Sequence, residues 1–506
     1  MTPTFPDAFN MADYFVFSNI EAGRGAKTAI VFEGRSISYA EVADAVMRVA
    51  RNLIADGLLP EQRVLVCCQD RPEFAYAWFG ALKAGAVVTQ VNPQLPAADY
   101  AYYLDYVKPQ FAFVDETSAA SFAEAAAASR FPQRVITIGS NFDQWLAEDH
   151  TSATPWPTRK DDPAVWLFTS GTTGQSKGAV HCHFHFPFNT EVYAKRFVGM
   201  RESDVTISGP RLFFGYATGT NLMFPFAVGA TTVLFREQPS PERLFDLIET
   251  HRATVFTSVP TLINKMLQAP APRDISSVRF MWSAGEALPG ELHDRWDRAF
   301  GVPIIDGIGS AESFHIYISN RPGDVRPGSL GRLVPGYEAK LVDDEGNAVA
   351  QGDVGTLWLK GPSAALHYQS AYEKSVQHLR GGWIVSGDKF REDGDGYWYY
   401  EGRGDDLIKS GGIYVSPLEV ENCLMQHAAV RECCVVGKKD DAGLEKPLAI
   451  IVLKDGAEVP DADLIAFAKS RLARYKAPHW VRFSATALPR NDRDKIDRKK
   501  LKAEHT

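Results

Sequence analysis

The chain has 506 residues, 45% hydrophobic and 23% charged. That is an ordinary globular balance, which excludes wholesale disorder and, at roughly 150 residues per domain, predicts about three compact units. Lys and Arg total 54 against 62 Asp and Glu, a net charge of −8, which excludes a general nucleic-acid binder while allowing one basic pocket for a phosphate.

In chain order, Met1-Thr-Pro-Thr-Phe-Pro-Asp lacks the basic patch and apolar stretch of a secretory leader. No apolar run reaches the ~18 residues of a membrane span, so a cytoplasmic protein without membrane contact is expected. Val46, Val49, Ala50, Leu53 and Ile54 share one helical face, and Arg63-Val-Leu-Val-Cys-Cys then reads as a strand. Residues 73–83 read as helix and Ala86-Val-Val-Thr-Gln-Val as strand; an Ala-rich helix follows around 125–128. The alternation resumes with strands at Thr231-Thr-Val-Leu-Phe, Ala253-Thr-Val-Phe-Thr-Ser-Val, Val278-Arg-Phe-Met-Trp and Val302-Pro-Ile-Ile, and with helices over 241–252 and 261–267. Continuous Val/Ile/Phe runs between helices indicate parallel strands buried on both faces.

After about residue 320, Glu338-Ala-Lys-Leu-Val and Gly355-Thr-Leu-Trp-Leu-Lys read as an antiparallel pair. Tyr400-Glu-Gly-Arg-Gly-Asp-Asp is polar with two glycines and reads as a linker on which two domains turn. Beyond it come a helix over 417–426, strands over 430–436 and 448–453, and a helix over 462–472. The expected fold is α/β: a large amino-terminal domain of doubly wound, mostly parallel sheets with a small β unit, then a small mobile α+β domain. The adjacent pairs Cys67–Cys68 and Cys433–Cys434 sit in apolar runs and no C-x-x-C occurs, so the six cysteines read as core, without a disulfide scaffold or a zinc site.

The strongest local signal is Thr169-Ser170-Gly171-Thr172-Thr173-Gly174-Gln175-Ser176-Lys177-Gly178, directly after strand-like Ala164-Val-Trp-Leu-Phe. Eight of its ten residues are Gly, Ser or Thr. Such a loop offers backbone N–H groups and hydroxyls to phosphate oxygens, with Lys177 adding a point charge. It differs from the common P-loop, since Ser176 and Gly178 flank the lysine.

This string resembles the phosphate-binding loop of the adenylate-forming superfamily, and further motifs follow in the order that family shows. Ser283-Ala-Gly285-Glu286-Ala287 resembles the adenine-contacting segment, and Asp306-Gly307-Ile308-Gly309-Ser-Ala-Glu312 the segment whose Glu binds magnesium. Trp383-Ile-Val-Ser-Gly-Asp388 and Gly402-Arg403-Gly-Asp-Asp406 resemble the ribose and hinge motifs; Ser410-Gly411-Gly412 and Pro489-Arg-Asn-Asp-Arg-Asp-Lys495 complete the set. The resemblance implies ATP, Mg2+ and CoA as cofactors and an amino-terminal domain over 1–404 hinged at Asp405 to a mobile domain over 405–506. It further implies that Lys495 bridges the substrate carboxylate and the α-phosphate, that Glu312 holds the metal, and that Asp388 and Arg403 attend the ribose. After rotation about Asp405, Gly411 and Gly412 would line a pantetheine tunnel, where a missing side chain leaves the passage open. The family usually carries Thr before the metal-binding Glu; Ala311 here removes a hydroxyl worth about 1 kcal/mol of phosphate contact, an effect on rate. Ser310 would point elsewhere in an extended loop.

Pro210-Arg-Leu-Phe-Phe-Gly215-Tyr216-Ala217 and Glu312-Ser-Phe-His315-Ile316, followed by Asn320-Arg-Pro-Gly-Asp-Val-Arg, resemble the benzoate-CoA ligase branch. By that resemblance Tyr216 lines a ring pocket with Gly215, Ala217, Gly307, Ile308, His315 and Ile316, and Gly215, where the branch can carry Ala, leaves room for a ring substituent. A flat aromatic acid suits such a slot. The expected reaction activates benzoate, or a small amino- or hydroxybenzoate, to acyl-AMP and pyrophosphate, then transfers the acyl group to CoA. Two other readings remain open here: loading of a carrier-protein pantetheine, and a non-catalytic nucleotide binder. Neither nucleic acid nor membrane is an expected partner, and the oligomeric state is undetermined. In an extended strand His181, His183 and His185 would share one face, whereas the resemblance implies the start of a helix here; without a nearby carboxylate they read as packing and not as a metal site.

Overall fold

The computed structural model describes residues 2–131, 133–170, 176–270, 273–404, 406–410, 413–440, 444–490 and 496–505. The expected site residues Gly171, Thr172, Thr173, Gly174, Asp405, Gly411, Gly412 and Lys495 lie outside them.

A six-stranded sheet runs in the order Arg134–Ile138, Phe111–Asp115, Arg63–Cys67, Val87–Gln90, Pro163–Ser170, Ser176–Cys182. All its pairings are parallel except the last. The alternation of side chains along a strand explains the two helical layers. Val64 and Val66 pack with residues of helices Tyr39–Ala55 and Pro72–Lys83. Leu65 and Cys67 pack with Tyr100, Leu104, Phe122 and Ala125 of helices Ala97–Val107 and Ala119–Ala128. Ser38 opens helix Tyr39–Ala55 with a reciprocal bond to Glu41, which satisfies amides that the first turn leaves unpaired.

A nine-stranded sheet has a parallel centre: Ile304–Gly309, Phe280–Ser283, Val255–Ser258, Val205–Ser208, Thr231–Leu234 and Thr28–Phe32. Antiparallel strands close its edges, Ile316–Ser319 and Arg332–Leu333 on one side and Arg35–Ser38 on the other. One face packs on helices Pro241–His251, Pro260–Met266 and Gly290–Phe300. The other shares a core with the first sheet, through Phe186, Tyr193, Phe224 and Trp282.

The small β unit pairs Glu338–Val342, Gly355–Lys360, Trp383–Glu392 and Trp398–Arg403 antiparallel; the first two are the expected pair, and the sequence reading did not foresee the other two strands. The expected linker is shorter than its sequence suggests: Tyr400–Arg403 belongs to the last of these strands, because the aromatic residues that start it pack inward, Trp398 at 3% exposure. Among the described residues no helix is long and apolar enough to cross a membrane.

The carboxy-terminal unit is a three-stranded sheet, Val430–Lys439, Glu445–Leu453 and Trp480–Phe483, with helices Pro417–Met425 and Asp461–Lys469 on it. Arg498, opening the last helix, forks onto Glu421 at 2.6 and 3.2 Å and donates to the Val435 carbonyl. Removing one member of such a pair strands the other's charge. Arg498→Ala should therefore destabilise this unit by about 3 kcal/mol, read as an earlier thermal transition, whereas the same change at exposed Arg431 should shift it little.

Candidate active site

The sheet-edge hairpin sets the site. Strand Pro163–Ser170 pairs antiparallel with Ser176–Cys182, with Thr169 opposite Lys177 and Ser170 opposite Ser176, so the two described ends of the Gly/Ser/Thr string lie side by side. The returning strand is held along its other edge by 365–369: Leu366 N–H donates to Val180 O and Val180 N–H to His367 O, both 2.9 Å, and Gln369 N–H to Gly178 O at 2.8 Å. Helix Ala97–Val107 adds three phenols beside Lys177. Tyr102 donates to Ser176 O at 2.5 Å, Tyr103 to Ser176 Oγ at 3.4 Å and Tyr106 to Gln369 O, while Gly178 N–H donates to the Tyr106 oxygen at 3.1 Å. Burial, with Lys374 nearby, lowers the Lys177 pKa, and Glu312 opposes that, so Lys177 and Glu312 share one electrostatic neighbourhood.

Glu312 sits in a single turn, Ala311–Ser313, capped by Ser310, whose hydroxyl accepts from Ser313 N–H at 3.3 Å. Ser310 is thereby committed to its own turn, and Ala311 offers only its carbonyl, which meets His181 Nε2 at 2.6 Å. Tyr368 donates to Glu312 Oε1 at 2.7 Å, and Ala365 N–H to Glu312 O at 2.7 Å. Both glycines of Asp306-Gly307-Ile308-Gly309 are sterically required. A Cβ on Gly307 would lie 2.8 Å from Ile318 O and one on Gly309 2.6 Å from His315 O, because the antiparallel strand Ile316–Ser319 crosses there.

Asp388 and Arg403 face each other across paired strands, Nε to Oδ1 3.6 Å, and Tyr400 donates to the same oxygen at 3.3 Å. Burial raises the Asp388 pKa against the pull of Arg403, with Glu312 adding to the rise. Glu286, beside Gly285 and Ala287, accepts from Thr261 N–H and Oγ1 at 3.2 and 2.8 Å, so its carboxylate caps helix Pro260–Met266. Asp306 is only 6% exposed and its Oδ1 lacks a partner among the described residues; burial pushes its carboxyl up to about 8.

The ring-pocket candidates come together. Gly215, Tyr216 and Ala217 lie on helix Gly215–Thr218 and Ile316 on the strand beside Gly307 and Ile308. The Tyr216 and His315 rings are 5.9 Å apart, with His315 Nε2 donating to Tyr216 O at 3.1 Å and Phe224 edge-on at 4.8 Å. A Cβ on Gly215 would meet Leu167 at an ordinary 3.5 Å, so the backbone does not demand glycine there.

The three neighbouring histidines do not share a strand face. Only His181 is on the strand; His183 lies in the turn and His185 starts helix His185–Asn189, because the extended segment ends at Cys182. His181 Nδ1 meets His185 Nδ1 at 3.1 Å, and Met11 N–H donates to His183 Nδ1 at 3.0 Å. Sequence reading missed Tyr368, the grip of His181 on Ala311, and the α-helical phenols. Of these only the phenols left a signal: Tyr102 and Tyr106 are four residues apart and so share a helical face.

A family model described as AMP-binding enzyme matches residues 17–369, and one described as AMP-binding enzyme C-terminal domain matches 419–495. The chain is 41% identical to the benzoate–CoA ligase of Thauera aromatica over 98% of this chain and 96% of that protein. It is 36% identical to the 4-hydroxybenzoate–CoA/benzoate–CoA ligase of Rhodopseudomonas palustris over 97% and 93%. Among solved structures, an anthranilate CoA ligase in complex with anthranoyl-AMP superposes with TM-score 0.92 at 36% identity, covering 99% of this chain and 98% of that one. A benzoate CoA ligase from Burkholderia xenovorans superposes with TM-score 0.88 at 38% identity, covering 98% and 100%.

The buried imidazoles make stability depend on pH. Burial lowers His181, His183 and His315 from 6.5 to about 4, about 3 and about 4. The unfolded chain takes up these protons below pH 6.5 and the folded chain does not, so stability is full above 6.5 and is lost as pH falls toward 4. Asp306, raised to about 8, and Asp70, raised to about 6, act in the opposite sense, each from its folded value down to about pH 4. Each unbalanced histidine should remove about 1.4 kcal/mol per pH unit between about pH 6 and 4. The urea midpoint should fall over that range, and His183→Asn, whose Oδ1 takes the place of Nδ1 as acceptor for Met11 N–H, should flatten the fall.

Proposed function

The chain belongs to the AMP-binding enzyme family, and from the arrangement of its site we infer that it is an AMP-forming aryl-CoA ligase that activates benzoate or a small substituted benzoate. The observation that carries the reading is the continuity of two half-sites. The segment from Asp306 to Ile316 carries at one end Glu312, gripped by Tyr368, whose backbone bridges to Ala179 two residues past Lys177, and at the other His315, whose ring faces Tyr216.

A carboxylate is a poor electrophile, so its oxygen attacks the α-phosphorus of ATP and the bond to pyrophosphate breaks, giving acyl-AMP. Negative charge on the triphosphate must be held in line for that displacement. We assign Lys177 and the hydroxyls and amides of the 169–174 loop to the phosphates, with the tyrosines of helix Ala97–Val107 and the 365–369 segment fixing the loop's outgoing strand. Glu312 fits a magnesium ion: Tyr368 engages Oε1 and leaves Oε2 as a hard oxygen ligand. Held there, such an ion would supply positive charge against the phosphates. Asp388, oriented by Tyr400 and Arg403, accepts from the ribose hydroxyls, and Gly285, Glu286, Ala287, Asp306 and Ile308 border the adenine. The aromatic ring lies against Tyr216 and His315, flanked by Gly215, Ala217, Gly307 and Ile316.

Lys495, by its place in the motif series, bridges the carboxylate and the α-phosphate in this first step. The CoA thiol then attacks the acyl carbonyl and AMP leaves, with Gly411 and Gly412 bordering the thiol's path. We place the turning point between the two steps at Asp405, two residues beyond the end of strand Trp398–Arg403, which separates domains 1–404 and 405–506.

Lys495→Ala should lower acid-dependent pyrophosphate release by at least about 100-fold while supplied benzoyl-AMP is still converted to thioester; equal loss of both steps would remove the assignment. Gly412→Leu should show the reverse pattern. Benzoate, 2-aminobenzoate, the hydroxybenzoates and a medium-chain fatty acid, each with magnesium-ATP and CoA, test the substrate class. AMP should form with one or more of the aromatic acids, and turnover confined to the fatty acid would overturn it.

A further inference from the structure

Two fully buried polar side chains of the six-stranded sheet reach across to the other sheet's side and take hold of one residue. Asp70, just past strand Arg63–Cys67, is 2% exposed, and Gln90, ending strand Val87–Gln90, is 5% exposed. Leu212 N–H donates to Asp70 Oδ1 at 2.9 Å, and Gln90 Nε2 donates to Leu212 O at 3.0 Å. The same Nε2 donates to Thr218 Oγ1 at 2.6 Å, and that hydroxyl donates on to Leu212 O at 2.5 Å. Trp78 Nε1 donates to Gln90 Oε1 at 2.7 Å. Because indole N–H can only donate, this bond fixes which end of the amide faces Leu212.

We propose that Asp70 and Gln90 are positioning residues that set the ring pocket, by clamping both backbone groups of Leu212 and the hydroxyl of Thr218 on either side of Tyr216. This inference rests on the aryl-acid reading above. The clamp grips the segment 212–218 at both ends, and that segment presents Gly215, Tyr216 and Ala217. Its far flank is tied to the nine-stranded sheet, where Arg211 donates to Phe235 O at 2.7 Å and to Arg236 O at 3.2 Å and stands 3.7 Å from Asp70 Oδ2. Leu212 is itself fully buried, so without Asp70 its N–H would be orphaned, and without Gln90 its C=O would keep only the Thr218 hydroxyl. Burial raises the Asp70 carboxyl to about 6, a carboxylate that no step of the reaction uses. None of these bonds touches the hairpin that carries Lys177, so a loosened clamp shifts the Tyr216 wall and leaves the phosphate side in place. Displacements of about 1 Å in such walls change rates by up to about 100-fold.

The test separates two Michaelis constants. Asp70→Ala and Gln90→Met should each raise the KM for the aromatic acid about tenfold or more while the KM for magnesium-ATP stays within about twofold. They should also compress the preference between benzoate and 2-aminobenzoate by about fivefold. Asp70→Asn keeps an oxygen for Leu212 N–H and should stay within about threefold of the parent on every constant. Thr218→Val, a near-isosteric change, should raise the acid KM about threefold and serves where a larger change prevents folding. Acid and ATP constants that move together, or an acid KM unmoved in the folded variants, overturn the clamp. The parent is assayed first: absence of turnover on every aromatic acid overturns the aryl reading and the clamp with it, whereas turnover with unsplit constants overturns the clamp alone.

Discussion

The strand Ser176–Cys182 is the constraint on which the rest of the site depends. It carries Lys177 at the edge of a sheet, where one row of backbone groups would ordinarily face water. Here that edge is not free: 365–369 pairs along it, and the phenols of helix Ala97–Val107 seal the end near Lys177. His181, on the same strand, extends the grip to the Ala311 carbonyl and so to the turn bearing Glu312. The two charges are therefore positioned by one piece of backbone, with flexible side chains needed only for the last few ångströms.

Preorganisation of this kind suits the chemistry. Displacement at a phosphorus centre offers a protein little covalent work, and what matters is where positive charge and hydrogen-bond donors stand before reaction. Tyr368 on Glu312 and Tyr400 on Asp388 serve the same end, each phenol fixing one oxygen of a half-buried carboxylate. The missing hydroxyl at Ala311 is not replaced by Ser310, which caps its own turn.

Much of the framework was legible beforehand. Buried parallel strands announced themselves as Val/Ile/Phe runs, and two sheets with helices on both faces follow from them. The linker over 400–406 misled because polarity and glycine describe a β-edge as well as a hinge: Trp398 and Tyr400 anchor a strand through Arg403. Spacing by itself would have set the three histidines on one strand face, but a period of two assumes one continuous strand, and the chain turns after Cys182 into the helix that the resemblance implied.

By itself the sequence determined the motif strings: a donor-rich loop with its lysine, the G-x-G before Glu312, the Asp388 and Arg403 pair. Each is a short stretch whose backbone must approach a ligand or a neighbouring strand closely, so the requirement is written in adjacent residues. Tertiary structure alone decided which side chains hold those strings in place. Tyr368 meets Glu312 across 56 residues, His181 meets Ala311 across 130, and Asp70 meets Leu212 across 142. Such pairs carry no local period. They exist because packing two sheets against each other buries backbone groups that must find partners, and the nearest available partners are distant in the chain.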